Sequence, residues 1–497
     1  MRPKPRPTGG TRMVPASSPV SLQDMEPNVP PMMETPTPAP QVPSEPDSGL
    51  RIHPWGWWLL AVLFAFLIIS QNVIALQRPP KPEAKSAVSE VRSRLFFSYL
   101  ADPTQILPEE AAGEAKQREQ YTETREKTLQ ELRTKLVPHE AKDADAARLA
   151  LILDRELKKP VDYSLISFLM SQKAPNPEFA KMYTHNEAPM TGLEAEKGFA
   201  KSLAEVQYIE QRDEKAKRAE LMPKDRFGLT WLVLMGALGG IGLGTVLLLI
   251  SIANFRSGKW QFIGGPLDTD DSEQSSRLAL RMASYFILLF LMGGMLSSLL
   301  LELKVDTGLA TFGGMVFATL VFVATLNFRS STGETILARL LGPREMWGTF
   351  AKAGLWTFFA NIPLVIVFAS LGNLLTRFIP APSHPATEML GDNPTAATIA
   401  LLFLSAGVLA PIGEELAFRG LLLGAQRRWM RAVGAGVVNG LLFAAIHPQG
   451  PALILGLASI GFAASMVTQM YRSVVPAIVM HAVHNSCVLV FGLIVLS

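Results

Sequence analysis

Apolar stretches long enough to cross a bilayer recur along this chain, and they leave few folds open. In lipid every backbone N–H and C=O must be paired inside the protein, so spanning segments of this length are helices. From residue 229 onward the expected spans are 229–253, 282–303, 309–326, 350–371, 396–409, 432–447, 452–470 and 474–496, and a further apolar run covers 55–76. The expected fold is all-α: a polytopic membrane helical bundle of about eight to nine transmembrane helices. Trp55, Trp57 and Trp58 stand where an interfacial aromatic belt is expected, so 51–76 is read as a membrane anchor rather than a cleaved signal.

Two other regions differ in kind. Residues 1–50 are rich in Pro, Ser, Thr and Met and cannot bury enough apolar surface to offset their ordering entropy, so a disordered tail is expected. Residues 77–226 are charged, nearly balanced in sign and helical in pattern. The stretch EEAAGEAKQREQYTETREKTLQELRTKL carries many opposite charges three or four apart, and Leu149, Leu151, Ile152 and Leu157 recur at helical spacing. This predicts a water-exposed helical insert, a structural or protein-contact module. Its His139 and His185 are read as surface residues. Membrane helices then occupy 227–394, and 395–497 carries the chemistry.

Hydrophobic residues make up 48% of the chain and charged ones 18%, and the formal charge of +3 shows no excess for a polyanion to meet. With no basic stripe interleaved with aromatics, nucleic-acid binding is excluded as an expectation. Cys487, the single cysteine, rules out an intramolecular disulfide and is read as a small packing residue. Arg256, Lys259 and Arg277, then Arg329, Arg339 and Arg344, then Arg427, Arg428 and Arg431 favour cytoplasmic loops, with the insert outside. Lys215, Lys217, Arg218, Lys224 and Arg226 argue the other way.

Polar residues are costly inside apolar helices, and three clusters occur there. In APIGEELAFRG, Glu415 and Arg419 lie four apart and can pair on one helix face. A structural role in neutralising Arg419 suits Glu415, whereas Glu414 is left unpaired and is the candidate general base. Pro411 and Gly413, just before, suggest a local break lining a cavity. In NGLLFAAIHPQG, Asn439, Phe443 and His447 form one drifting stripe, ending at Pro448. In VVPAIVMHAVHNSCVLV, His481 and Asn485 share a face, while His484 is rotated from it. A histidine and an asparagine facing one way can bind a metal, donate to an oxyanion, or merely join helices.

A geometric difficulty follows. A straight helix over 452–470 would set His447 and His481 near opposite membrane faces, so they can meet only if that segment is tilted, broken or partly re-entrant, or if the long loop side dips inward. Gly456 and Gly461 suggest a break.

The set Glu414-Glu415-x-x-x-Arg419, Phe443-x-x-x-His447 and His481-x-x-x-Asn485, in order on successive apolar segments, resembles the CPBP (Abi) family of CAAX prenyl endopeptidases and bacteriocin-processing or immunity proteins. The resemblance spans about one fifth of the chain. It implies an intramembrane endopeptidase in a cell membrane, a bacterial plasma membrane by family habit, acting on a peptide or protein substrate among membrane lipid. By the same analogy Glu414 and His447 activate water, His481 and Asn485 stabilise the oxyanion, and Glu415, Arg419 and Phe443 support the site. No cofactor is implied by that mechanism; an older family reading makes Glu414, His447 and His481 ligands of a divalent metal such as zinc. The chain lacks HExxH, a Gly-x-Ser-Gly loop and a Gly-x-Gly-Asp pair. A non-enzymatic immunity or scaffold protein, and a proton-coupled transporter, are the competing classes.

Overall fold

The computed structural model describes residues 55–77, 83–102, 104, 114–184, 190–213, 215–269, 271–327, 334–376, 395–447 and 451–496. The 1–50 tail, His185 and Arg329 lie outside the described residues. Among the described residues there is no β-strand. Seven helices among the described residues are long and apolar enough to cross a membrane, and two shorter apolar helices accompany them. The chain is a helical, multi-pass membrane protein.

Helix α1 (Trp55–Gln77) is not a free-standing anchor. Leu60, Phe64 and Leu67 are buried within the same apolar core as Phe286 and Phe418. The Phe64 ring lies 5.1 Å from Phe286 and 6.1 Å from Phe418. Trp55 and Trp58 remain exposed, as rings bound for a membrane interface would be.

The charged region folds around a core of its own. Helices α2 (Glu83–Leu100), α3 (Ala115–Leu136), α4 (Ala144–Glu156), α5 (Tyr163–Met170), α6 (Asn176–Thr184) and α7 (Gly198–Arg212) surround it. Leu149, Leu151 and Ile152 are buried there, and Leu157 packs against them. Asp143 and Asp162 cap α4 and α5 by accepting backbone N–H groups. Several buried charges there are paired. Glu196 accepts from Arg92 and Arg148. Glu156 accepts from Arg218, Gln207 and Tyr99. Burial pushes the Tyr99 and Tyr183 hydroxyls well above the usual phenol range, with the Glu156 charge adding to the rise.

Helix α8 (Lys224–Arg256) joins this core to the bundle. Its Phe227 stacks on Phe96 at 5.6 Å, so its first turn belongs to the charged unit and the rest runs on as a span. The bundle continues with α9 (Ser272–Glu302), α10 (Thr307–Leu326) and α11 (Trp347–Thr376). Helices α12 (Ala396–Gln426), α13 (Ala432–Ala445), α14 (Pro451–Tyr471) and α15 (Val475–Leu496) complete it.

Two expectations about breaks need correction. Residues 396–409 are not a separate span: α12 runs on through Pro411 and both glutamates to Gln426. Instead of breaking, it widens into π-helical turns at Phe403–Leu409 and Leu416–Leu422. A wide turn just before Pro411 lets the helix pass a residue that has no N–H and whose ring crowds the preceding turn. The second correction concerns α14, which is continuous. Gly461 marks a close crossing rather than a break, since an added Cβ would lie 2.7 Å from Gly440 Cα on α13 and 2.9 Å from Arg419 Nη2. Two facing glycines let the backbones touch, as small residues do at membrane helix crossings.

Candidate active site

The site starts on α12, between its two wide turns. Glu415 is fully buried, and Arg419, one turn on, is fully buried with it. Arg419 Nη1 donates to Glu415 Oε1 at 3.1 Å. From α15, His481 brings Nδ1 to the same oxygen at 2.8 Å. If the carboxylate is ionised, Nδ1 is the donor, and Nε2 is turned the other way. There it lies 3.9 Å from Glu414 Oε2. That separation is too long for a hydrogen bond, yet one oxygen atom placed between the two can reach both.

Glu414 differs from its neighbour as the sequence suggests. Its side chain is 14% exposed against 0% for Glu415, and among the described residues it has no hydrogen-bond partner. A carboxylate in that position keeps its lone pairs for something else.

Phe443 ties the third cluster in. Its ring centroid lies 4.7 Å from the His447 ring and 5.6 Å from the His481 ring. The Arg419 guanidinium sits 4.5 Å from the same centroid, a cation–π contact in an apolar surrounding. His447 Nδ1 is 2.7 Å from Phe443 O. A carbonyl only accepts, so Nδ1 carries hydrogen, and in the neutral ring Nε2 is then an acceptor. Both imidazoles therefore meet one aromatic ring, so the two histidines do not stand at opposite membrane faces.

Asn485 is occupied differently. Its Nδ2 donates to Ala406 O at 2.7 Å. Ala410 N–H bonds Ser405 O, five residues back, so the next carbonyl, Ala406, falls opposite Pro411 and finds no N–H. Asn485 supplies the missing donor. A carboxamide has a second N–H, which this bond leaves free.

Four residues that the sequence did not mark as site residues hold the second wide turn and the glutamate motif. Asn439 Nδ2 donates to Phe418 O at 2.9 Å and to Gln426 Oε1 at 3.0 Å, and Ser465 Oγ donates to Asn439 Oδ1 at 3.3 Å. Tyr285 lies beside Gly413, where an added Cβ would be 3.4 Å from its hydroxyl oxygen. The signal for Asn439 was present, an amide on the Phe443–His447 stripe. Tyr285 is more than a hundred residues away and carries no local signal.

The zinc set does not assemble. Glutamate and histidines are suitable donors in kind, but among the described residues no three His, Cys, Asp or Glu side chains come close enough together to hold a metal ion. Glu414, His447 and His481 are no exception.

Residues 396–487 match the family described as type II CAAX prenyl endopeptidase Rce1-like, in agreement with the resemblance drawn from Glu414-Glu415, Phe443/His447 and His481/Asn485. The helices that carry this site are thus similar, at family level, to CAAX-type intramembrane proteases. No curated protein and no solved structure matches the chain.

Proposed function

We propose that this chain is an intramembrane endopeptidase that hydrolyses a peptide bond near the C-terminus, or in the leader, of a membrane-associated protein. Water approaches Glu414, whose carboxylate takes one proton as the oxygen attacks the scissile carbonyl carbon. His447 Nε2 accepts the water's other hydrogen and orients it. The developing oxyanion meets His481 Nε2–H and the second N–H of Asn485. When the intermediate collapses, the C–N bond breaks and Glu414 returns its proton to the leaving amine.

Glu415 and Arg419 act on His481 rather than on substrate. With His481 protonated, two carboxylates, one guanidinium and one imidazolium sum to zero charge, which suits an apolar interior. The observation that carries the reading is the sharing of one Glu415 oxygen by Arg419 and His481. It turns the second imidazole nitrogen toward Glu414, which has no hydrogen-bond partner among the described residues.

In this proposal the protein resides in a plasma membrane, faces the bilayer with its span helices, and holds its charged unit outside the membrane for protein contacts. A scaffold or immunity role accounts for the Glu415–Arg419–His481 cluster equally well but leaves Glu414 without a purpose. Cleavage of a diverse peptide library by purified wild type and Glu414→Gln, side by side, tests the reading. Products from wild type and none from the variant are expected; equal products, or none from either, would overturn it.

A further inference from the structure

Cys487, read from the sequence as a packing residue, is exposed. Two hydroxyls that the mechanism leaves unused are instead buried beside the glutamate motif. Tyr285 on α9 and Thr319 on α10 are 2% and 4% exposed, and both side chains reach the same point of α12. A Cβ added to Gly413 would lie 3.4 Å from the Tyr285 hydroxyl oxygen and 3.7 Å from Thr319 Oγ1. Gly413 immediately precedes Glu414. Both glutamate charges act on the Tyr285 hydroxyl, that of Glu414 the more strongly. Among the described residues neither hydroxyl is hydrogen-bonded, yet neither oxygen is wholly enclosed, as Glu415 Oε2 is.

The packing of the Tyr285 ring needs no oxygen. Its centroid lies 4.7 Å from Phe322 and 5.6 Å from Phe286, contacts that a phenylalanine would make as well. A buried hydroxyl without a partner costs free energy that phenylalanine avoids. The oxygen therefore serves a species that enters the site. That species is small: a methyl group on Gly413 would already meet Tyr285 Cε2 at 3.3 Å, so a peptide unit has no room between the two hydroxyls and α12. Water fits the requirement by its hydrogen bonds too. In the hydrolysis proposed above, its two hydrogens go to Glu414 and His447 Nε2, and one lone pair attacks the scissile carbon. The other lone pair is left for a donor, and a phenolic O–H beside Glu414 is one.

We infer that Tyr285 is a further catalytic residue of this site: its hydroxyl donates to the attacking water and holds it against Glu414. The Thr319 hydroxyl lines the same place and gives the water a second polar partner as it enters. No bond to Tyr285 forms or breaks, and its proton stays on the phenol throughout. This inference rests on the hydrolytic reading.

The test is Tyr285→Phe, in full-length protein purified in detergent, assayed on a cleavable fluorogenic peptide beside wild type and Glu414→Gln. The variant should lose about 10–100-fold in kcat, the margin of one hydrogen bond to an atom gaining charge, with KM unchanged. Its melting temperature should not fall, because no hydrogen bond among the described residues is removed. Wild-type kcat, a raised KM with kcat kept, or a fall in melting temperature that accompanies the loss of activity would overturn the inference. Full activity of Tyr285→Phe beside an inactive Glu414→Gln would overturn this inference alone. Cleavage by Glu414→Gln, or none by wild type, would overturn the hydrolytic reading and this inference with it.

Discussion

His481 Nδ1 lies 2.8 Å from Glu415 Oε1, the oxygen that also accepts Arg419 Nη1 at 3.1 Å. One carboxylate oxygen thus joins α12 to α15 and sets the direction in which the imidazole presents its other nitrogen. Adjacent glutamates on one helix are thereby given different work, and substitutions should separate them.

Glu415→Gln leaves the fully buried Arg419 without its counter-charge. Breaking one side of such a pair costs about 3–5 kcal/mol, so the variant should lose thermal stability and cleavage together. Glu414→Gln removes a partly exposed carboxylate with no hydrogen-bond partner among the described residues and should lose cleavage with a smaller fall in melting temperature than Glu415→Gln. Thermal unfolding and turnover measured on both detergent-purified variants check this; a large fall in stability for Glu414→Gln would mean that it is structural.

His447 offers an isosteric test. His447→Asn keeps an N–H where Nδ1 meets Phe443 O but has nothing at the position of Nε2. The fold should be retained while peptide cleavage drops by about 10²–10⁴-fold, the usual worth of a positioned acid–base group. Steady-state cleavage of a fluorogenic peptide measures it, and wild-type turnover would remove His447 from the mechanism.

Gly461→Val should be far more damaging than its chemistry suggests. The first added carbon alone would meet Gly440 Cα at 2.7 Å and Arg419 Nη2 at 2.9 Å. Overpacking of this kind costs ~1–3 kcal/mol, and more where backbone must move. Reduced yield of folded protein on size-exclusion chromatography is expected, whereas Gly434→Val, with open space around it, should be tolerated.

The charged unit should weaken in strong base. Burial raises the Tyr99 and Tyr183 hydroxyls above their unfolded value near 10. Below that pH both states are protonated and the stability is fully present. Above it the unfolded chain releases protons that the folded one keeps, so stability falls as pH rises. By pH 11 the loss is about 1.4 kcal/mol for each tyrosine. Limited proteolysis by subtilisin between pH 9 and pH 11 should show faster cutting within 83–212, and Tyr183→Phe should blunt the increase.

Much of this was legible in residue order. Apolar length marked most of the spans, because a bilayer sets that length and lipid offers the backbone no partner. The Glu415–Arg419 pair followed from spacing alone, since residues four apart on a helix are neighbours whatever surrounds it. The contrast between Glu414 and Glu415 followed too: one guanidinium four residues away can neutralise only one of two adjacent acids.

What residue order left open depends on contacts between helices. Pro411 read as a break, yet the chain widens there and its Ala406 carbonyl takes a donor from Asn485, 79 positions beyond Ala406. Gly461 read as a break, yet it is the point where α14 presses against α13. Tyr285 gave no local sign at all. Helical periodicity and the cost of burying charge act within a few residues, so they are written into the chain itself. Which wide-turn carbonyl finds a donor and which glycines touch were decided only when distant helices packed together.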